Sequence, residues 1–155
     1  MTDDPITIAP EPYDGADGAR LRAAMEAELH DRYGGESEPG EKPSSADVLV
    51  FLVARDGDGS ALGCGALRRL DATTVEVKRM YVAPAGRGRG LSKRLLAALE
   101  AEAAARGATV VRLETGPLQP EAIGLYTRAG YASIPCWGAY AGEPNSVCFE
   151  RRLAG

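Results

Sequence analysis

The stretch Met80-Tyr81-Val82-Ala83-Pro84-Ala85-Gly86-Arg87-Gly88-Arg89-Gly90-Leu91-Ser92 concentrates the residue types most able to hold a charged ligand. Gly86, Gly88 and Gly90 let backbone approach a ligand with no Cβ in the way. The segment leads into a helical pattern, whose first turn offers unpaired N–H groups and the positive end of a dipole. Arg87 and Arg89 add guanidinium donors that suit phosphate geometry. Together they predict an anion cradle, most naturally for a pyrophosphate. The spacing excludes a Walker A loop, which needs Gly-x4-Gly-Lys-Ser/Thr. It also fails the dinucleotide fingerprint G-x-G-x-x-G, because Lys93 stands where the last glycine belongs. Spacing alone leaves open a glycine-rich connection with exposed arginines.

The surrounding elements place this loop between a strand and a helix. Ile6-Thr7-Ile8 reads as a short strand ended by Pro10, and Leu21, Met25 and Leu29 mark one face of a helix from Ala16 to Tyr33. Gly34 and Gly35 stop it, and the polar, Gly- and Pro-containing run from 35 to 45 reads as a loop. Val48–Ala54, Ser60–Leu70 and Thr73–Val82 then form a meander, with turns at Asp56–Gly59 and Asp71-Ala72. Leu91, Leu95, Ala98 and Leu99 change the period to that of a long amphipathic helix ending near Gly107. Ala108–Leu113 follows as a strand parallel to Thr73–Val82, joined to it by this crossover. A helix over about Pro120–Ala129, stopped by Gly130, and strands at Tyr131–Ile134 and Val147–Leu153 complete the pattern.

Composition limits the function classes. The chain of 155 residues fits one domain, residues 1–155, with 45% hydrophobic residues. Lys+Arg 18 against Asp+Glu 22 gives a net charge of −4, which argues against a nucleic-acid partner. The start Met1-Thr2-Asp3-Asp4-Pro5 lacks an apolar run, so no signal peptide is expected. The longest apolar run, Val48–Ala54, is too short to span a membrane. Cys64, Cys136 and Cys148 have no metal-ligand spacing and read as reduced, mostly buried thiols of a cytoplasmic protein. His30 is the sole histidine, so no His-rich metal site is expected.

With these residues in view, the sequence resembles the GCN5-related N-acetyltransferases. Arg87-Gly88-Arg89-Gly90-Leu91-Ser92 looks like the family's R/Q-x-x-G-x-G/A signature, which binds the pyrophosphate of coenzyme A, with Ser92 in place of the final Gly or Ala. Glu76–Val82 is similar to the family's fourth strand. There the backbone at the positions of Met80 and Val82, around Tyr81, pairs with the pantetheine arm. Leu113–Gly116 and Gln119–Tyr131 look like its fifth strand and fourth helix. The resemblance covers about Ser60 to Leu153. It implies the mixed α/β acetyltransferase fold, a six- to seven-stranded sheet with about four helices. It implies acetyl-CoA as co-substrate, no metal, and attack of a free amine on a thioester.

Three tasks follow from that chemistry. The amine must lose a proton, the oxygen that gains charge needs a donor such as the Val82 N–H, and the leaving sulfur needs a proton or hydrogen bond. The resemblance assigns the last task to Tyr126 and places Gln119 where many members have a cofactor-touching Asn. Glu76, eleven residues before Arg87, matches the spacing of the catalytic glutamate in the family's histone acetyltransferases and is the expected base. A solvent-facing glutamate paired with Lys78 or Arg79 is the alternative. Glu114, Tyr33, Tyr140 and Trp137 are the residues expected around the acceptor. The expected acceptor is a small primary amine, with a weak lean towards a cationic one. A protein or peptide amine, or a non-catalytic acyl-CoA-binding module, are the alternatives; a homodimer is the assembly considered.

Overall fold

A strand that is apolar on both faces must be covered on both sides, and Val48–Arg55 is such a strand. The computed structural model describes residues 5–35 and 45–153, and it meets this demand with one mixed sheet between helices. In chain order the elements are β1 (Thr7–Pro10), α1 (Ala16–Tyr33), β2 (Val48–Arg55), β3 (Ala61–Arg69), β4 (Thr74–Val82), α2 (Leu91–Ala105), β5 (Val110–Thr115), α3 (Pro120–Arg128), β6 (Ala132–Ile134) and β7 (Val147–Arg152). The seven strands lie in the order β1-β2-β3-β4-β5-β7-β6. Only β4 and β5 run parallel, as the intervening helical crossover requires. The mixed α/β fold is as the sequence predicts, with three α-helices among the described residues in place of about four. Most of the loop expected over 35–45 lies outside the described residues.

Helix α2 buries Leu91, Leu95, Leu96, Leu99 and Ala103 on one sheet face, where they join Leu52, Leu67, Val75, Val111 and Leu113. The opposite face packs under α1, with Tyr13, Leu21, Phe51 and Val53. The periodicity of α2 requires close contact with β3, and two glycines provide it. A Cβ at Gly65 would lie 2.7 Å from Leu99 Cδ1, and one at Gly63 would lie 3.1 Å from Leu95 Cδ1.

Two departures from regular pairing shape the sheet. Cys64 pairs with Tyr81 and Ala66 with Lys78, so Arg79 and Met80 together oppose Gly65. This is a β-bulge, and Arg79 takes a left-handed φ of 58° in it. The Cys64 thiol donates to the Arg79 carbonyl at 3.3 Å and holds the bulge from below. Second, β4 and β5 stop pairing at Val77↔Leu113. Glu114 and Thr115 of β5 continue beside β7, while β4 runs on to Val82 beside β3 alone.

The cysteines require a correction. Cys136 and Cys148 form a disulfide with Cα atoms 5.2 Å apart, and Cys64 is a free, buried thiol. The pairing of Ile134 with Cys148 turns the chain after β6 back against β7 and brings Cys136 within reach. A linear spacing carries no sign of that return.

The close packing of α2 on β3 gives a first prediction. Gly65→Val drives a branched side chain into Leu99, and overpacking of this kind costs about 1–3 kcal/mol. Thermal unfolding should show a lowered Tm; an unchanged Tm would mean that the helix moves away without loss.

Candidate active site

The gap left where β4 departs from β5 is roofed by α1 and α3, and it opens into two cavities. The larger, of about 600 Å³, runs along Met80, Tyr81 and Val82 to the glycine loop, the first turn of α2 and the side of α3. The smaller, of about 90 Å³, lies towards Lys78, Arg79, Glu114, Thr115 and Asn145. Met25, Leu29, Met80, Gln119 and Tyr126 line both, so the cavities meet at these residues.

The glycines of the loop divide their work. Gly86 is a packing residue, since a Cβ there would crowd Leu62 and Leu91 at 3.0 Å. Gly88 and Gly90 have φ of 80° and 72°, and a Cβ on either would meet nothing within 4 Å. Those two face open space and permit the left-handed turns that bring the first turn of α2 to the larger cavity. Arg87, Gly88, Gly90, Leu91 and Ser92 line it. Arg89 does not line it, which corrects the expectation of two loop arginines. Lys93 and Arg128 contribute cations there. Lys93 was legible as a basic residue in the first turn of a helix, whereas Arg128 reaches the cavity only because α3 folds against it.

The Arg87 guanidinium is engaged within the protein. Its Nε donates to the Val82 carbonyl at 3.1 Å, and an η nitrogen meets both carboxylate oxygens of Glu28, at 2.7 and 2.9 Å. The Tyr81 hydroxyl donates to the same Glu28 at 3.1 Å. Glu28, a residue of α1 that the sequence did not single out, thus stands beside the cradle as its internal anion. The cradle fits a pyrophosphate-bearing group: two glycines front open space, the first turn of α2 lies at the cavity, and Arg87, Lys93 and Arg128 supply positive charge.

At the junction, Tyr126 is 6% exposed, and its ring packs against Tyr131 and Phe149. Burial, and then the charge of Glu114, push its phenol far above the ordinary value, so the hydroxyl keeps its proton at neutral pH. Its hydroxyl makes no hydrogen bond among the described residues. Gln119, at the start of α3, donates from Nε2 to the Tyr33 hydroxyl at 3.4 Å. That hydroxyl also accepts from the Leu118 N–H at 3.1 Å and lies over Gly116, where any Cβ would collide with it. Tyr33 therefore lines the smaller cavity and also fixes the loop that carries Gln119.

Two expectations change. Glu76 is completely buried and lines neither cavity. Its Oε1 accepts from Arg68 at 2.7 Å and its Oε2 from the Tyr140 hydroxyl at 2.6 Å. Tyr140 in turn accepts from Lys78 Nζ at 2.7 Å, so it stands behind Lys78 and does not line the smaller cavity. Glu76 and Lys78 both precede the bulge and share a strand face, so it is enclosure by Arg68 and Tyr140 that keeps Glu76 from the gap. Glu114 does line the smaller cavity, with the Ser146 hydroxyl donating to it at 2.8 Å. Trp137 packs edge-on against Tyr140, with Arg112 over its ring. Among the described residues, no cluster of His, Cys, Asp and Glu is placed to hold a metal ion, and no helix is long and apolar enough to cross a membrane.

Comparison with known proteins agrees with this geometry. The model of the acetyltransferase (GNAT) family matches residues 19–131, a span that includes every residue common to both cavities. A protein of Azospirillum brasilense named IAA acetyltransferase is 38% identical over 131 residues, 79% of this chain and 85% of its own. The crystal structure of a proposed acyl-CoA N-acyltransferase from Klebsiella pneumoniae is similar with a TM-score of 0.83 and 36% identity, covering 96% of this chain and 98% of that one. A GNAT family acetyltransferase of Elizabethkingia anophelis, solved with acetyl-CoA bound, shares the fold with a TM-score of 0.70 at 19% identity, over 96% and 98% of the two chains.

Burial around the site sets a pH dependence. It pushes the Cys64 thiol up to about 12 and raises the phenols of Tyr126 and Tyr131. In the unfolded chain these groups ionise at about 8.5 and about 10. Above those values the folded state holds more protons than the unfolded one, so stability is full below them and falls as pH rises. Denaturant midpoints should decline from about pH 8.5 upward, and Cys64→Ala should flatten the first part of that decline. A midpoint constant to pH 11 would contradict the buried, protonated state of these groups.

Proposed function

The chain belongs to the acetyltransferase (GNAT) family and is an acetyl-CoA-dependent N-acetyltransferase, and from that premise we propose that it acetylates a small primary amine held in the smaller cavity. The observation that carries this reading is the meeting of the two cavities at Met80, Gln119 and Tyr126. One cavity has a phosphate cradle at its far end, and the other has room for little more than a small acceptor. Bound acetyl-CoA supplies an electrophilic thioester carbonyl and a thiol leaving group. Arg87, Lys93, Arg128 and the amides of Gly88 to Ser92 would hold its phosphates, with Arg87 exchanging Glu28 for the ligand. The backbone of Met80 and Val82, on a strand side that no longer pairs with β5, is available to an extended arm.

In this reading Glu114 is the carboxylate that takes the amine proton, directly or through a water. Tyr126 supplies the hydrogen bond to the departing sulfur. A thiolate, with an ordinary pKa of about 8.5, is a weaker base than a tyrosinate at about 10. The raised phenol therefore serves as a hydrogen-bond donor more than as a full proton donor. An N–C bond would form as the C–S bond breaks, the amine proton passing to Glu114 and the sulfur leaving as a thiolate that Tyr126 hydrogen-bonds and that takes its proton from solvent. The size of the smaller cavity favours a small molecule over a polypeptide amine. A binding-only module is disfavoured by a hydroxyl placed at the cavity junction. Each group in this scheme comes from one chain, so the chemistry does not depend on a homodimer.

Two predictions separate these roles. Tyr126→Phe should leave the Tm and acetyl-CoA binding near the original values while kcat falls about 10²-fold. Single-turnover rates guard against a slow release step hiding the loss. A folded Phe variant with full single-turnover activity removes Tyr126 from the chemistry.

The second prediction contrasts the carboxylates. Glu114→Gln should lower kcat/KM by about 10²–10⁴ and displace the acidic limb of its pH profile. Glu76→Gln should lower stability by about 1–3 kcal/mol, through its buried partners, and leave the profile in place. The reverse pattern would return the base to Glu76.

A further inference from the structure

Resting on the acetyl-transfer reading above, we infer that the acceptor is an amino-acid-like amine bearing a carboxylate, and that Lys78 is the residue that selects it. The smaller cavity carries both signs of charge: Lys78 and Arg79 on β4 face it from one side, and Glu114 on β5 from the other. A plain cationic amine would satisfy Glu114 but meet the Lys78 ammonium, whereas Arg79 is paired with Glu26 at 3.4 Å. A zwitterion matches both walls, with its amine towards Glu114 and its carboxylate towards Lys78. Asn145, Thr115 and Gln119 give the same wall further polar groups to orient such a ligand.

Lys78 is held in place for this task by groups that the transfer chemistry does not use. It is buried, and burying an ammonium is costly unless it is hydrogen-bonded. Its Nζ donates to the Tyr140 hydroxyl, which donates to Glu76, whose other oxygen accepts from Arg68. This row crosses the sheet from β3 through β4 to the 138–140 turn and fixes the Lys78 stem from behind. The bulge begins at the next residue, Arg79, so Lys78 is the last β4 residue in regular register before the cavity junction. A ligand carboxylate at Lys78 and an amine at Glu114 would span the smaller cavity between β4 and β5. The arrangement makes Lys78 a specificity residue: it meets the acceptor at a distance from the bond being made.

The test compares acceptors that differ only in that charge. Free α-amino acids, their primary amides and alkylamines of matched length are assayed by CoA release with the unmodified protein. The best amino acid should exceed its own amide in kcat/KM by at least about tenfold. Lys78→Met should reduce that preference towards unity, mainly through the KM of the amino acid, and Lys78→Arg should retain part of it. The KM for acetyl-CoA reports whether the variant keeps its cofactor cleft. Equal use of acid and amide by the unmodified protein overturns the inference without any variant, even if Lys78→Met fails to fold. So does a Lys78→Met protein that loses both acceptors in equal proportion. In either case, CoA release with some amine leaves the transfer reading intact. Failure of every amine, in a protein that acetyl-CoA still stabilises against heat, overturns both.

Discussion

The structure depends on β4 remaining a strand after it has lost one neighbour. Through Val77 it is paired on both sides; from Lys78 to Val82 only β3 supports it. An unpaired strand side is ordinarily a liability, since its amides and carbonyls seek partners. Here that exposed side lines the larger cavity. The bulge at Arg79 and Met80 makes the departure possible, because two residues opposite Gly65 turn the strand and increase its twist. A non-glycine residue at a φ of 58° carries an intrinsic cost of about 1–2 kcal/mol. Packing offsets it: the Cys64 thiol binds the Arg79 carbonyl, and the absence of a side chain at Gly65 leaves room for Met80 and Leu99.

The same region shows how polar groups can be buried without being idle. Glu76 is fully enclosed, yet both its oxygens are satisfied, by Arg68 and by Tyr140. Removing one partner would leave a buried polar group exposed to the full cost of desolvation, which exceeds the net gain of an average hydrogen bond. The row from Arg68 to Lys78 is consequently stiff, and it joins the meander to the loop closed by the Cys136–Cys148 disulfide. That loop also delivers Asn145 to the smaller cavity and Ser146 to Glu114. Its covalent closure reduces the freedom of the unfolded chain and keeps one wall of the cavity near its partner strand.

Helix α1 is tied to both walls of the larger cavity by charged pairs. Glu28 takes hydrogen bonds from Arg87 and Tyr81, and Arg32, one turn later, bonds to Glu121 on α3. These pairs are partly or fully exposed, and contacts of that kind contribute about 0–1 kcal/mol each. Their effect lies in position: they tie α1 to the glycine loop on one side and to α3 on the other. The pairing of Arg87 with Glu28 also holds that guanidinium oriented in the larger cavity.

How much of this was legible in the sequence follows from the range of the interactions. Local features were: the helix periods of α1 and α2, the strand meander, the glycine loop with Arg87, and Tyr126 on the inward face of α3 all depend on residues a few positions apart. The parallel pairing of β4 with β5 followed from the crossover between them. The bulge did not, because it is a mismatch in register between two strands and leaves no mark on either one. Glu76 looked like a cavity residue from its spacing to Arg87, while tertiary packing enclosed it and gave the cavity to Lys78 and Glu114. Arg89 and Arg128 exchanged places for the same reason, since a cation's reach depends on which way its element faces. The Cys136–Cys148 bond was settled by the return of β7 beside β6. Sequence determined the kinds of chemistry available and their order along the chain; tertiary structure decided which groups share a cavity, because burial and register act between residues that the chain keeps far apart.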